Sequence, residues 1–336
     1  MPGDLAGQEV VPEAVRVLKA CELGYEFEEF EVGAGPLLRG EPALSEPTFR
    51  DAARADAILF GAIGDPRVPD VGYAAQVLLR MRFELDLYVN LRPARLYDDR
   101  LSPLRDPERR PIDLLIVREN TEGLYVGMGG RFRRGTEHEV AIQEDLNTHH
   151  GVSRVIEHGF RCAKRRLCMV DKSNAMNHAG GLWQERWRDI GARHPEIEPR
   201  HLYVDAAAME LVRDPTQFEV IVTGNLFGDV LSDLTAALVG GMGLAPSANL
   251  NPETGRGLFE PVHGSAPNIA GQGVVNPLGA ILTAGMMAEH LGDEAAAKRI
   301  ESAVIGAITA GECTRDLGGS LSTSEAGTAV VRRLSD

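Results

Sequence analysis

Four short apolar runs set the frame of this chain. Ala57–Phe60 stops at Gly61, and Ile112–Val117 leads into Arg118. Leu167–Val170 leads into Asp171 and Lys172, and Phe218–Val222 ends at Thr223–Gly224. Runs of this length that end on glycine or on a charge have the form of buried strands. Between them, apolar residues recur at helical spacing, in Val10–Leu18 and again in Val77–Leu85 through Val77, Leu78, Met81 and Leu85. Strands interleaved with helices predict an α/β protein with a largely parallel sheet. Chemistry in such sheets collects beyond the carboxyl ends of the strands. That directs attention to Arg118, Lys172 and Asn225, each expected just after a strand.

With 336 residues, the chain is long enough for two domains or one large one. Its 43% apolar content supports a sizeable core and excludes disorder for most of its length. A net charge of −14 argues against tracking a phosphate backbone, so no nucleic-acid partner is expected. Four scattered cysteines offer neither a disulfide scaffold nor metal-ligand spacing. With no signal-like start, a reducing, cytoplasmic location is expected. The uncharged stretches Leu234–Pro252 and Gly264–Ala288 are broken by Gly, Pro and Asn, so no membrane span is expected. Gly129–Glu139 is polar and bounded by glycine, and reads as an exposed hairpin arm.

Four groups of residues carry candidate chemistry. In NLFGDVLSD (Asn225–Asp233), Asp229 and Asp233 are spaced to share one helix face. Two like charges there repel unless a cation lies between them, and hard divalent cations use carboxylate oxygens. A solvated acidic face is the alternative. Asp205, in VDAAAME, is a third possible ligand or a helix cap. Arg82, Arg92 and Arg118 are candidate holders of a substrate with more than one carboxylate, because guanidinium groups grip carboxylates bidentately. A surface ion pair is the alternative for any one of them. Lys172 follows an apolar strand, where desolvation favours a general base, and Tyr125 is a matching acid. Glu260–Asn276 (EPVHGSAPNIAGQGVVN) is rich in Gly and small polar residues. Such a loop lets backbone N–H groups approach a phosphate or adenosine, although it is not G-x-G-x-x-G.

Taken together, GAIGDP (Gly61–Pro66), the segment from Met81-Arg82 to LRP, VRENTEGLY (Val117–Tyr125), DKSN (Asp171–Asn174), NLFGDVLSD and EPVHGSAPNIAG resemble the β-decarboxylating dehydrogenases that act on isopropylmalate, isocitrate, homoisocitrate or tartrate. The resemblance covers nearly the whole chain. It implies a two-domain, isopropylmalate dehydrogenase-like α/β fold with one long mixed sheet, not a classical Rossmann fold. One domain, 1–90 with 240–336, would bind the cofactor. The other, 91–239, would carry the dimer interface and an arm at about 129–150. The resemblance implies that Arg82, Arg92 and Arg118 clamp a malate moiety. Asp229 and Asp233 would bind Mg²⁺ or Mn²⁺ in one subunit, with Asp205, Lys172 and Asn174 supplied by the other copy of a homodimer. Tyr125 would protonate the enol. Glu260, His263, Gly264, Ser265, Ala266, Asn268 and Asn276 would form the NAD loop. The implied reaction is NAD-dependent oxidative decarboxylation of a 2-hydroxy diacid, most simply 3-isopropylmalate, in leucine biosynthesis.

Three departures from the family pattern carry expectations. The family opens with a strand and then GDGIGPE. Here the chain begins MPGDLAGQE, so Leu5, Ala6 and Gln8 replace Gly, Ile and Pro, and the missing strand is expected to leave sheet backbone unpaired. Asn268 stands where NAD-using members often carry Asp, and no Lys-Tyr pair offers a 2′-phosphate partner, which favours NAD. Leu78 and Leu79 place apolar surface where an isopropyl group would pack, whereas homoisocitrate enzymes place an Arg at position 79. Ala74-Ala75-Gln76 is unusual for isopropylmalate enzymes, and Lys172–Asn174 is similar to tartrate enzymes. The alternatives are a tartrate/malate- or homoisocitrate-type enzyme, or a non-catalytic regulatory subunit of an isocitrate dehydrogenase. The presence of Lys172, Tyr125, Asp205, Asp229 and Asp233 argues against the last.

Overall fold

A computed structural model describes residues 1–70 and 72–334. Its strands are β1 (Ile58–Leu59), β2 (Val89–Arg95), β3 (Asp113–Glu119), β4 (Gly129–Phe132), β5 (Val140–Gln143), β6 (Arg166–Asp171), β7 (Glu198–Tyr203), β8 (Val220–Thr223), β9 (Ala248–Asn251) and β10 (Arg256–Phe259). Its α-helices are α1 (Ala6–Ala20), α2 (Ala34–Leu38), α3 (Glu46–Ala52), α4 (Arg80–Glu84), α5 (His149–Cys162), α6 (Asn177–Gly191), α7 (Val204–Arg213), α8 (Asn225–Leu238), α9 (Leu278–His290), α10 (Glu294–Thr309) and α11 (Thr323–Arg333). Among the described residues, one eight-stranded sheet runs β1-β10-β9-β2-β3-β8-β6-β7, and β4 pairs with β5 as a separate hairpin.

The sheet is mixed. β3, β8, β6 and β7 run parallel, as does β1 beside β10, whereas β10–β9, β9–β2 and β2–β3 are antiparallel. This corrects the largely parallel sheet expected from the strand–helix alternation and agrees with the single long mixed sheet implied by the resemblance. The alternation missed β2 because VNLRPAR carries Asn, two Arg and Pro, all poor strand signals. β2 pairs with β9 only over Val89–Leu91, so Pro93 lies where only β3 flanks it and its missing N–H breaks no ladder on the β9 side.

Strands β6 and β8 are buried on both faces, which explains their continuous apolar sequence. On one face they meet α5 and α6 through Val152, Ile156, Phe160, Trp183 and Trp187. On the other they meet α7 and α8 through Ala207, Leu211, Leu231 and Leu238. A further core joins α1 to α9, α10 and α11, so residues from the beginning and end of the chain pack together. Within it α9 (LGAILTAGMMAEH) is buried on nearly all sides. A fourth core gathers Met1, Phe49, Phe60, Val77 and Met81 against Leu258.

Three local expectations change. Arg118 does not follow its strand but lies within β3, because it has ladder partners on both sides, Asn90 and Thr223. The helix read over Val77–Leu85 begins as a π-turn at Ala75–Leu79 before α4. The wider turn buries Val77, Met81, Arg82 and Leu85. Leu78 packs partly against the core and Leu79 is half-buried. Finally, the backbone at the chain start is paired, not orphaned. Leu59 O accepts from the Met1 amine, Gly61 and Ala62 donate to Met1 O and Pro2 O, and Asp4 N donates to Ala62 O. Residues 1–4 thus satisfy the side of β1 that faces away from β10.

The expected hairpin arm is present as β4 and β5, but it ends before α5 begins at His149. Among the described residues, no helix is long and apolar enough to cross a membrane.

Candidate active site

The register of β2 and β3 builds the centre of the site. Asn90 pairs with Arg118 and Arg92 with Ile116, so Asn90, Arg92 and Arg118 project from one face. Helix α8, entered directly from β8, lies against that face. Gly228 makes this approach possible: a Cβ there would sit 2.6 Å from Arg118 Cγ and 2.7 Å from Arg118 Cβ. Arg118 is 1% exposed. It donates through Nε and Nη2 to Asn225 Oδ1, at 3.0 and 2.8 Å, and through Nη1 to Asp229 Oδ1. Arg92 donates to the same Asp229 oxygen at 3.2 Å and to Ser232 Oγ at 2.6 Å, with Asp233 3.8 Å away. Arg82, buried within α4, donates to Glu260 at 2.6 Å, and its buried Nε has no partner among the described residues. Tyr125 donates to the other Asp229 oxygen at 2.5 Å, with its ring centroid 5.2 Å from the Arg118 guanidinium carbon.

The charges act on one another. Burial, then the positive charges of Arg92 and Arg82, pull Arg118 down to about 9. Burial likewise lowers Arg92, against the pull of Asp229. For Asp229 burial acts upward, but Arg118 and Arg92 outweigh it and hold the carboxyl below the usual range. Burial raises Asp233, opposed by Arg92 and reinforced by the charge of Asp229. Burial, then its hydrogen bond to Asp229, raises Tyr125. The site therefore holds three mutually repelling buried arginines, matched in number by Glu260 and the partly exposed Asp229 and Asp233, and a neutral phenol.

The other expected residues lie elsewhere on the same chain. Lys172 and Asn174 follow β6, and Asp205 opens α7. Lys172 is ion-paired with Asp205, while Asn174 is exposed. Among the described residues of a single chain, no three His, Cys, Asp or Glu side chains converge on a metal-sized point. Asp229 and Asp233 are brought together; Asp205 is not brought to them. The pair still suits a hard cation, since Asp233 is exposed and the charge of Asp229 acts against its ionisation.

The Glu260–Asn276 loop is clamped to the first turn of α1. Ala6 N donates to Ser265 O at 3.0 Å, and Glu9 accepts from Gly271 N at 2.6 Å and Gly273 N at 3.1 Å. Ser265 Oγ would lie 2.9 Å from a Cβ on Gly64, which brings the GAIGDP turn against the loop. His263 Nδ1 contacts Gly264 O at 3.0 Å, whereas its buried Nε2 has no partner among the described residues. Gly264 and Asn268 are exposed, and Ala266 adopts φ 45°. An unpartnered ring nitrogen beside open backbone fits an incoming nucleotide. Asn276 is buried, with its amide donating to Asp316 at 2.9 Å and accepting from Leu278 N at 2.9 Å, so here it shapes the start of α9. Sequence reasoning missed Glu9, Ser232 and the buried Asn90, Asn120 and Asn249. Asn90 lies in β2 and Asn249 in β9, whereas Asn120 directly follows β3, and no periodicity marks any of the three.

Arginines that converge on buried ground beside paired carboxylates and an open glycine-rich loop suit an α/β enzyme acting on a small polyanion with a nucleotide. The comparisons with known proteins give the family. A family profile described as Isocitrate/isopropylmalate dehydrogenase matches residues 1–330. A 3-isopropylmalate dehydrogenase of Thermobifida fusca is 45% identical over 100% of this chain and 97% of its own. That of Corynebacterium urealyticum is 48% identical over 90% of each. The crystal structure of isocitrate dehydrogenase from Methylococcus capsulatus superposes with a TM-score of 0.92 at 35% identity, covering 100% of this chain and 98% of that one. The chain belongs to the isocitrate/isopropylmalate dehydrogenase family, and it is a decarboxylating dehydrogenase.

Proposed function

We propose that this chain oxidises and decarboxylates 3-isopropylmalate with NAD and a divalent cation, Mg²⁺ or Mn²⁺, as a cytoplasmic homodimer serving leucine biosynthesis. The observation that carries the diacid is the trio of buried arginines, close enough to repel one another, with a free Arg82 Nε donor. Full-length relatives named 3-isopropylmalate dehydrogenase support the particular substrate. Residues 1–90 with 240–336 act as the cofactor domain and 91–239 as the dimer domain.

In this reading Arg82, Arg92 and Arg118 hold the two carboxylates, and Leu78 and Leu79 face the isopropyl group. Asp229 and Asp233, with Asp205 from a second copy of the chain, hold the cation. Glu260, His263, Gly264, Ser265, Ala266, Asn268 and Asn276 form or support the NAD site. When bound, the cation supplies Lewis-acid stabilisation at the C2 oxygen and the nicotinamide accepts the hydride from C2. Lys172, delivered by the second copy with Asn174, takes the C2 hydroxyl proton on Nζ. Rupture of the bond from C3 to its carboxylate then releases CO₂ and leaves an enolate. The Tyr125 hydroxyl, kept protonated by burial and Asp229, then gives its proton to C3.

The test is kcat/KM on isopropylmalate, malate, tartrate, isocitrate and homoisocitrate, each with NAD and NADP and with and without Mg²⁺ or Mn²⁺. Burying an isopropyl group contributes about 2 kcal/mol, or roughly 30-fold over malate. A higher kcat/KM for tartrate or homoisocitrate than for isopropylmalate refutes the substrate assignment.

A further inference from the structure

A line of buried amides connects two of the arginines through the middle of the sheet. Arg92 Nε donates to Asn90 Oδ1 at 2.7 Å. Asn90 Nδ2 donates to Asn249 Oδ1 at 3.0 Å. Asn249 Nδ2 donates to Glu260 Oε1 at 2.9 Å, and Arg82 donates to that same oxygen at 2.6 Å. Asn120 steadies the centre by donating to Asn249 Oδ1 at 3.0 Å and to Leu87 O at 2.8 Å. Asn90, Asn120 and Asn249 are completely buried.

Asparagine is a poor strand residue, and a buried amide is tolerated only when its hydrogen bonds are met. Here Asn90 on β2 lies opposite Asn249 on β9, which lies opposite Leu258 on β10. An apolar residue at 249 would satisfy packing without this demand. The Asn249 amide is planar and offers its acceptor to one side and its donors to the other. The backbones of three strands hold it on both sides, so it transmits position instead of only filling space.

We propose that Asn249 is a positioning residue that fixes the separation of Arg82 and Arg92, and through it the spacing of carboxylates the site accepts. The proposal rests on the reading of those arginines as carboxylate holders. Asn249 has no exposed surface and does not itself touch substrate.

Succinate and glutarate differ by one methylene between their carboxylates, so their inhibition constants against the hydroxy-diacid substrate report the spacing. The parent enzyme is expected to separate the two by about ten-fold, the size of a one-methylene discrimination. Asn249→Ser and Asn249→Leu should each bring the ratio to within about two-fold and raise KM for the diacid by a larger factor than KM for the dinucleotide, whose loop begins at Glu260. The serine variant, smaller than the parent residue, carries the test if the leucine variant does not fold. Arg92→Lys is the control and should weaken succinate inhibition by at least about ten-fold. If it does not, the arginine reading fails. If Arg92→Lys behaves as expected but Asn249→Ser keeps the parent ratio, or raises both KM values equally, the positioning role alone is overturned. A parent ratio near one also overturns it.

Discussion

Replacing Gly228 with alanine removes no charge and no hydrogen-bonding group, yet it should disable the enzyme. On an ordinary helix Gly→Ala stabilises by about 1 kcal/mol. At position 228 the new methyl would lie 2.6 Å from Arg118 Cγ, 2.7 Å from Cβ and 3.1 Å from Cδ. Carbon–carbon contacts settle near 3.5–4.0 Å, so the arginine stem or α8 must recede by about 1 Å. The stem cannot yield freely. It is buried in β3, and its guanidinium is held by Asn225 and Asp229 on α8 itself. Overpacking of this kind costs about 1–3 kcal/mol, which offsets the helix gain and leaves global stability nearly unchanged or modestly lower. Activity should respond more sharply, because a displacement of about 1 Å in a positioning group costs on the order of 100-fold. The assay compares kcat/KM and the urea midpoint of Gly228→Ala with those of Gly181→Ala. Gly181 lies on α6 with open space around its would-be Cβ. The control should keep full activity and gain slightly in stability. A Gly228→Ala enzyme within about three-fold of the parent would refute the claim that Arg118 and α8 are held at their limiting separation.

Leu5 adopts φ 47° and ψ −110°, a conformation favoured only by glycine, and strain there is worth about 1–3 kcal/mol. Leu5→Gly should therefore raise stability by about 1 kcal/mol in urea unfolding, after the entropy cost of the added glycine. The His158 imidazole is pushed down to about 4 by burial and then by Arg161. Its neutral form thus contributes stability that is complete above pH 6.5 and is lost as pH falls through 4, about 3 kcal/mol in all. His158→Leu should flatten the urea midpoint across that window, and an unchanged slope counts against the assignment. Mixing inactive Lys172→Ala and Asp229→Ala chains should regenerate some parental sites in heterodimers. No recovery of activity after verified subunit exchange would argue against a site shared between copies.

Helix α8 was legible in the sequence because two carboxylates at helical spacing among apolar neighbours have few uses. Strands β6 and β8 were legible because burial on both faces demands an unbroken apolar run. β2 was not, although it carries Arg92. Its polar residues answer to one another across strands, and a single sequence does not display which strand lies opposite. The pairing of Asn90 with Arg118 puts both arginines on one face, and that follows from register alone. For the same reason nothing in PSANLN singles out Asn249. The π-turn at Ala75–Leu79 hid in a different way, since a five-residue offset and a four-residue offset leave nearly the same apolar pattern over one turn.

The electrostatics of the arginine group explain why these polar supports exist at all. A guanidinium pulled down to about 9 is destabilised by several kcal/mol relative to one in water, and Arg118 bears this largely through burial and its own neighbours. Left alone, Arg82, Arg92 and Arg118 would separate or draw in water. Asn225 and Ser232 hold Arg118 and Arg92 from α8, Asn90 holds Arg92 from below, and Glu260 anchors Arg82. Asp229 is the one carboxylate that Arg92 and Arg118 share, so a substrate carboxylate reaching the same donors must compete with it. The strain is thus stored where charge is needed, and it is balanced by Asp229 and Glu260 together with neutral amides and a hydroxyl that an anion cannot displace. Further acidic residues in place of those amides would stabilise the empty site equally, but they would turn its balanced charge negative and oppose a dianion.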